Sequence, residues 1–129
     1  MKQKEIKVLM VAPGEYPKEV VLENNLDALQ KAVSIGCEYQ GLIEVISLGK
    51  GVCIICNEEG KLLGLEGNRR FGSDIIAGVF YVVGEDKRGN FVSLTEAQME
   101  YYAQRFREPE QISRDGIADL IYAFIFSGL

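Results

Sequence analysis

CIICNEEGKLLGLEGNRRFGSDIIAGVFYVVG, residues 53–84, carries the reading of the fold. Apolar runs rich in β-formers open and close it, and between them lie Asn57, Glu58, Glu59, Asn68, Arg69, Arg70 and Asp74. Short runs of β-branched and aromatic residues bounded by glycine and polar turns are strand signals. The stretch predicts a strand ending at Asn57, a turn over Asn57–Gly60, a short strand over 61–65, a charged loop, and a long buried strand over 74–84. Gly60 is read as a position needing positive φ. Gly78, inside the last strand, predicts a bulge or a close backbone approach.

Working outward, residues 5–12 (EIKVLMVA) form a strand stopped by Pro13-Gly14, and 18–23 (KEVVLE) return as its antiparallel neighbour. Asn24 or Asn25 offers a helix N-cap, Leu26, Leu29 and Val33 recur at helical spacing, and Gly36 supplies a stop, so a helix is expected over about 25–35. Strands over 41–48 and 51–57 flank Gly49-Lys50-Gly51, a hairpin signal. Downstream, Thr95 and Gln98 have capping-box spacing, with Leu94 and Met99 placed as the hydrophobic staple of a helix running to about 107.

The last segment, 111–129, is apolar on more than one face. Ile117, Leu120, Ile121, Phe124 and Ile125 repeat at helical spacing and are the expected interaction surface, either docked on the sheet or shared across a homodimer. A membrane span needs about 20 apolar residues; this run is shorter and carries Asp119, so no membrane partner is expected. The fold class expected is α+β: a mostly antiparallel sheet of five to seven strands, one inserted helix and two C-terminal helices. One domain over 1–108 is extended by an apolar helical segment, 109–129, packed on the same domain or in a dimer.

Composition narrows the chemistry. The chain has 129 residues, 47% of them apolar and 26% charged, as in an ordinary globular domain. Its 19 acidic and 14 basic residues give a net charge of −5, which opposes binding to nucleic-acid phosphates. The N-terminus lacks a secretory h-region, and three cysteines suit a reducing compartment, so the expected location is cytoplasmic. Histidine and tryptophan are absent. The first absence removes Ser-His-Asp and Cys-His catalysis and HExxH zinc sites.

Cys53-Ile54-Ile55-Cys56 matches C-x-x-C, yet on a strand residues i and i+3 point to opposite faces. The two thiols are therefore read as small buried hydrophobes, and neither metal nor cofactor is expected. Gly49-Lys50-Gly51 and Gly64-Leu65-Glu66-Gly67 lack the spacing of phosphate loops. Asn68-Arg69-Arg70 with Asp74 forms the remaining polar cluster, where an arginine fork could take an anion or could pin the loop by pairing with Asp74 or Glu66. Glu44, between Ile43 and Val45, is expected on an edge strand with its carboxylate in water.

The order of these segments resembles a known family. The strand closing in Pro-Gly leads to the helix Asn-Leu-Asp-Ala-Leu-Gln-Lys and to Ile43-Glu44-Val45. Cys56-Asn57-Glu58-Glu59-Gly60-Lys61-Leu62, Asn68-Arg69, Asp74-Ile75-Ile76-Ala77-Gly78 and Ser93-Leu94-Thr95 follow. Together they resemble domain of unknown function 3846 over about residues 5–107. The resemblance implies a small bacterial or phage α+β protein, often carried on conjugative elements and prophages, and it assigns no activity or catalytic residue. It marks Asn57-Glu58-Glu59-Gly60 and Asn68-Arg69 as the places to look.

Two functions are expected to compete. The first is a non-enzymatic protein-interaction module of a mobile genetic element or prophage, binding an unknown protein partner or a second copy. The second is a small-ligand protein or enzyme, for an anion or nucleotide, built on Asn57, Asn68, Arg69, Arg70 and Asp74 converging around Arg69.

Overall fold

The computed structural model describes residues 2–112. Strand β1 (Glu5–Val11), strand β2 (Lys18–Glu23) and helix α1 (Leu26–Val33) come first. Strands β3 (Ile43–Gly49), β4 (Val52–Asn57), β5 (Gly67–Phe71), β6 (Asp74–Ala77), β7 (Phe80–Glu85) and β8 (Phe91–Val92) follow, and α2 (Glu96–Arg105) closes the described chain. The main sheet has the order β2-β1-β7-β4-β3, with β8 paired to β7, while β5 and β6 form a separate hairpin. Every pairing is antiparallel. The architecture is α+β, as expected, with one helix inserted after β2.

Alternation along the central strands sends side chains to both faces of the main sheet. On one face Leu29 and Val33 of α1 pack against Ile6, Val8, Cys53, Ile55, Tyr81 and Val83. The Tyr81 hydroxyl donates to the carbonyl of Ala32 at 2.9 Å, tying the helix to the central strand. On the other face Tyr102 of α2, Phe106 at its C-cap and Ile76 of the hairpin cover Leu9, Val11, Ile54, Cys56, Phe80 and Val82. Phe80 and Phe106 meet edge to face, their centroids 5.2 Å apart. With both faces covered, β4 is buried along its whole length, and its cysteines fall on opposite faces as the strand period requires.

Both helix starts follow their sequence signals. The Asn25 side chain accepts from the Ala28 amide at 2.8 Å. Thr95 and Gln98 complete a reciprocal capping box, and Leu94 and Met99 sit together in the core below it.

Four expectations are corrected around residues 58–85. Residues 61–64 form turns and Leu65 lies in no regular element, so no strand runs there. The charged stretch over 67–71 is strand β5, not a loop. The single strand expected over 74–84 is two, because Gly78 at φ +81° breaks it between Ala77 and Phe80. The chain thereby turns from the hairpin into the main sheet. A Cβ on Gly78 would lie 2.8 Å from Leu65 Cδ1, so the close approach is also real. Gly60 is needed for a different reason from the one expected: its φ is ordinary, but a Cβ there would lie 2.6 Å from the carbonyl oxygen of Ala77. Of the two C-terminal helices expected, α2 is seen; the second, with Ile117, Leu120, Ile121, Phe124 and Ile125, lies outside the described residues. No helix among the described residues is long and apolar enough to cross a membrane.

Candidate functional site

Asn57, the last residue of β4, is 4% exposed and joins two connections of the chain. Its Oδ1 accepts from the Glu59 amide at 2.9 Å, which shapes the turn after β4. Its Nδ2 donates to Ser34 Oγ at 3.4 Å and lies 4.0 Å from Cys37 Sγ, both in the connection from α1 to β3. The Glu58 amide donates to the Leu42 carbonyl at 3.0 Å and closes the junction. These two connections lie at one end of the sheet, where β4 ends and β3 begins. They present exposed Ile35, Tyr39, Leu42, Leu62 and Leu63.

Beside this junction opens a cleft of about 250 Å³. Glu44 and Ile46 of β3, Cys56 of β4, the turn from Asn57 to Leu62, and Phe71 with Asp74 to Ala77 of the hairpin line it. The floor is apolar, and the rim bears the carboxylates of Glu44, Glu58, Glu59 and Asp74. Lys61 Nζ pairs with Asp74 Oδ1 at 2.6 Å. Among the described residues no cation pairs with Glu44, Glu58 or Glu59.

The one thiol in the cleft is held protonated. Burial first, and then the carboxylate of Glu44 with Oε1 3.7 Å from its sulfur, push Cys56 up to about 12. Burial likewise raises Cys53 to about 12. A thiolate is the nucleophilic form, so neither cysteine is activated at neutral pH.

Asn68 and Arg69 stand elsewhere, inside the protein. Asn68 is fully buried; its Nδ2 donates to the carbonyls of Val11 and Gly78, both at 2.8 Å. Arg69 is 1% exposed and, among the described residues, donates only to oxygens without full charge. Nε reaches the Phe106 carbonyl at 3.0 Å, Nη1 reaches Asn68 Oδ1 at 2.8 Å, and Nη2 reaches the Glu15 carbonyl at 2.7 Å. The Phe106 carbonyl is at the C-terminus of α2, where the helix dipole places partial negative charge. Burial lowers the pKa of Arg69, while Glu110 and Glu108 nearby oppose that shift; a guanidinium remains charged throughout.

The sequence-derived cluster is therefore divided. Asn57 and Asp74 border the cleft, Asn68 and Arg69 are buried in hydrogen bonds to backbone, and Arg70 is exposed. Arg70 Nε lies 3.8 Å from Glu110 Oε1, and its amide donates to Glu110 Oε2 at 3.0 Å. The expected convergence around Arg69 does not occur, because its donors point to the β1–β2 turn and the end of α2. Nor does either arginine pair with Asp74 or Glu66; Asp74 takes Lys61 instead. Ile46, Phe71 and Leu62 also wall the cleft, and no sequence signal marks them, because they meet only once the β5–β6 hairpin closes against the end of β3 and the turn after β4.

Fold and site together define a small α+β domain whose sheet is covered on both faces and whose cleft is acidic at the rim and apolar at the floor. The chain belongs to the family described as Domain of unknown function (DUF3846), whose model matches residues 6–107. No curated protein and no solved structure matches it.

Proposed function

We propose that this chain is a non-enzymatic protein-interaction module, of the kind a mobile genetic element or prophage would carry. One observation carries the reading: exposed Ile35, Tyr39, Leu42, Leu62 and Leu63 are gathered on two connections that Asn57 ties together. Large apolar side chains grouped at one end of a domain mark contact surfaces more often than chance exposure does. The cleft beside them supplies shape, and its only thiol is held in the unreactive form.

The competing reading, a site for an anion or nucleotide on Asn68-Arg69-Arg70, has less support. The Arg69 guanidinium is engaged on all three nitrogens, and carboxylates dominate the rim of the cleft.

The test is quantitative affinity purification of the full chain from a bacterial lysate, wild type against Leu42→Asp and Leu62→Asp. Both side chains are exposed, so the variants are expected to fold with an unchanged melting temperature. Loss of a specific protein from both variants supports the module. A monomeric chain that retains nothing, or retains the same proteins in all three forms, overturns it.

A further inference from the structure

Strand β3 ends the main sheet, and among the described residues it pairs only with β4. The register identifies which of its backbone groups face outward. The Glu58 amide bonds the Leu42 carbonyl, which makes 42/58 a hydrogen-bonded pair. In an antiparallel ladder such pairs alternate, so Glu44 opposite Cys56 and Ile46 opposite Ile54 also bond β4. The amides and carbonyls of Ile43, Val45 and Ser47 then point away from the sheet. β2, the other edge, is protected by Lys18, Glu19 and Glu23, all exposed. From Ile43 to Gly49, β3 carries a single charge, Glu44, and no lysine or proline. Charged residues, lysine above all, and proline are the usual means of blocking an edge.

Side chains on the two faces of β3 differ. Glu44 and Ile46 look into the cleft, beside Glu58 and Glu59, whereas Ile43 and Val45 lie on the α1 side. An extended segment added alongside β3 would place alternate side chains on these two faces. One set would meet carboxylates that no cation among the described residues pairs, and the other would lie beside exposed Val45.

We propose that β3 is a docking edge for an extended protein segment that alternates basic with apolar residues, the basic ones facing Glu44, Glu58 and Glu59. This names the partner chemistry of the surface inferred above and rests on that reading. Backbone pairing to Ile43, Val45 and Ser47 supplies the attachment, and the carboxylates select charge. A second copy of β3 fits less well, since it would bring another Glu44 and no cation to the same acidic rim.

The probe is a fluorescein-labelled octapeptide alternating arginine and valine, titrated onto the full chain by fluorescence anisotropy. A glutamate–valine octapeptide is the comparison, and amide hydrogen exchange is read residue by residue. Binding of the arginine peptide should slow exchange at Val45 and its outward neighbours by at least tenfold, and the glutamate peptide should bind at least tenfold more weakly. Val45→Pro removes an outward donor without taking a bond from β4 and should reduce binding at least tenfold. Unchanged exchange protection in β4 verifies that this variant is folded. Glu44→Lys with Glu58→Lys, which leaves the backbone edge intact, should invert the preference between the two peptides.

Equal binding of the two peptides, or binding without protection at Val45, overturns the proposal. So does concentration-dependent protection of Val45 in the peptide-free chain, since it would make a second copy the occupant. Each of those results leaves the Leu42→Asp and Leu62→Asp test of the interaction module standing on its own.

Discussion

Arg69 Nε donates to the backbone carbonyl of Phe106 at 3.0 Å, which seats a cation on the C-terminal turn of α2 with no carboxylate of the described residues in the hydrogen-bonded set. A buried charge is costly unless polar groups replace its water. Here the replacement is made by the backbone carbonyls of Glu15 and Phe106, both distant in sequence, together with the neighbouring Asn68, and the helix end adds its dipole.

Substitution of Arg69 should therefore be among the most damaging in the domain. Arg69→Ala leaves the carbonyls of Glu15 and Phe106 without their donor and opens a cavity, for an expected loss of ~3 kcal/mol or more. Arg69→Lys keeps the charge but not the fork and should fall between the two. Urea denaturation measures both. A loss under ~1 kcal/mol for the alanine variant would show that the clamp contributes little.

Gly78→Ala tests the break between β6 and β7. It combines a positive φ with a Cβ only 2.8 Å from Leu65 Cδ1, and a loss of about 1–3 kcal/mol is expected. Placed in a Leu65→Ala background, the same substitution should cost less, because only the backbone contribution remains. Equal costs in both backgrounds would remove the contact with Leu65 from the explanation. Thermal melts of the four proteins complete the cycle.

Stability should fall as pH rises above about 9. Cys53 and Cys56 ionise near 9.0 when solvated but near 12 in the fold, and Tyr81 is raised from 10.0 to about 12. Above pH 9 the unfolded chain releases thiol protons that the folded chain retains, so the balance shifts toward unfolding until the folded pKa is reached. At pH 10.5 the loss is on the order of 1–2 kcal/mol per thiol. Melting temperatures at pH 7 and 10.5 should show the drop, and Cys53→Ala with Cys56→Ala should shrink it even though that variant is less stable at pH 7.

Thr95→Ala removes the acceptor for the Gln98 amide at 3.1 Å and should cost ~1 kcal/mol in a denaturant titration. Thr95→Ser keeps the acceptor and should cost at most a few tenths of that. A serine variant as unstable as the alanine one would assign the effect to the lost methyl group instead.

Local signals in the chain were readable where one short-range interaction decides the outcome. Asn25 and Thr95 start helices because their side chains satisfy amides three residues on, a fact visible in spacing alone. Cys53 and Cys56 separate to opposite faces because a strand has period two. Arg69 was illegible for the opposite reason. Arginine followed by arginine reads as exposed loop, and only the arrival of Glu15 and Phe106 from far along the chain makes a buried strand of it. The cleft is half legible: Asn57 and Asp74 stand out as polar residues between apolar runs, but Ile46 and Phe71 come together only through the β5–β6 hairpin.

The Arg69 clamp also sets an order of events during synthesis. β1 gains β7 as a partner only after residue 80 exists, and the guanidinium gains its Phe106 acceptor only after α2 is complete. A nascent chain that stops short of α2 lacks the Phe106 acceptor for Arg69 and the helix that covers one sheet face. Contacts this distant in sequence favour late, all-or-none closure. Once α2 docks, the carbonyl of its C-cap, Phe106, becomes the latch.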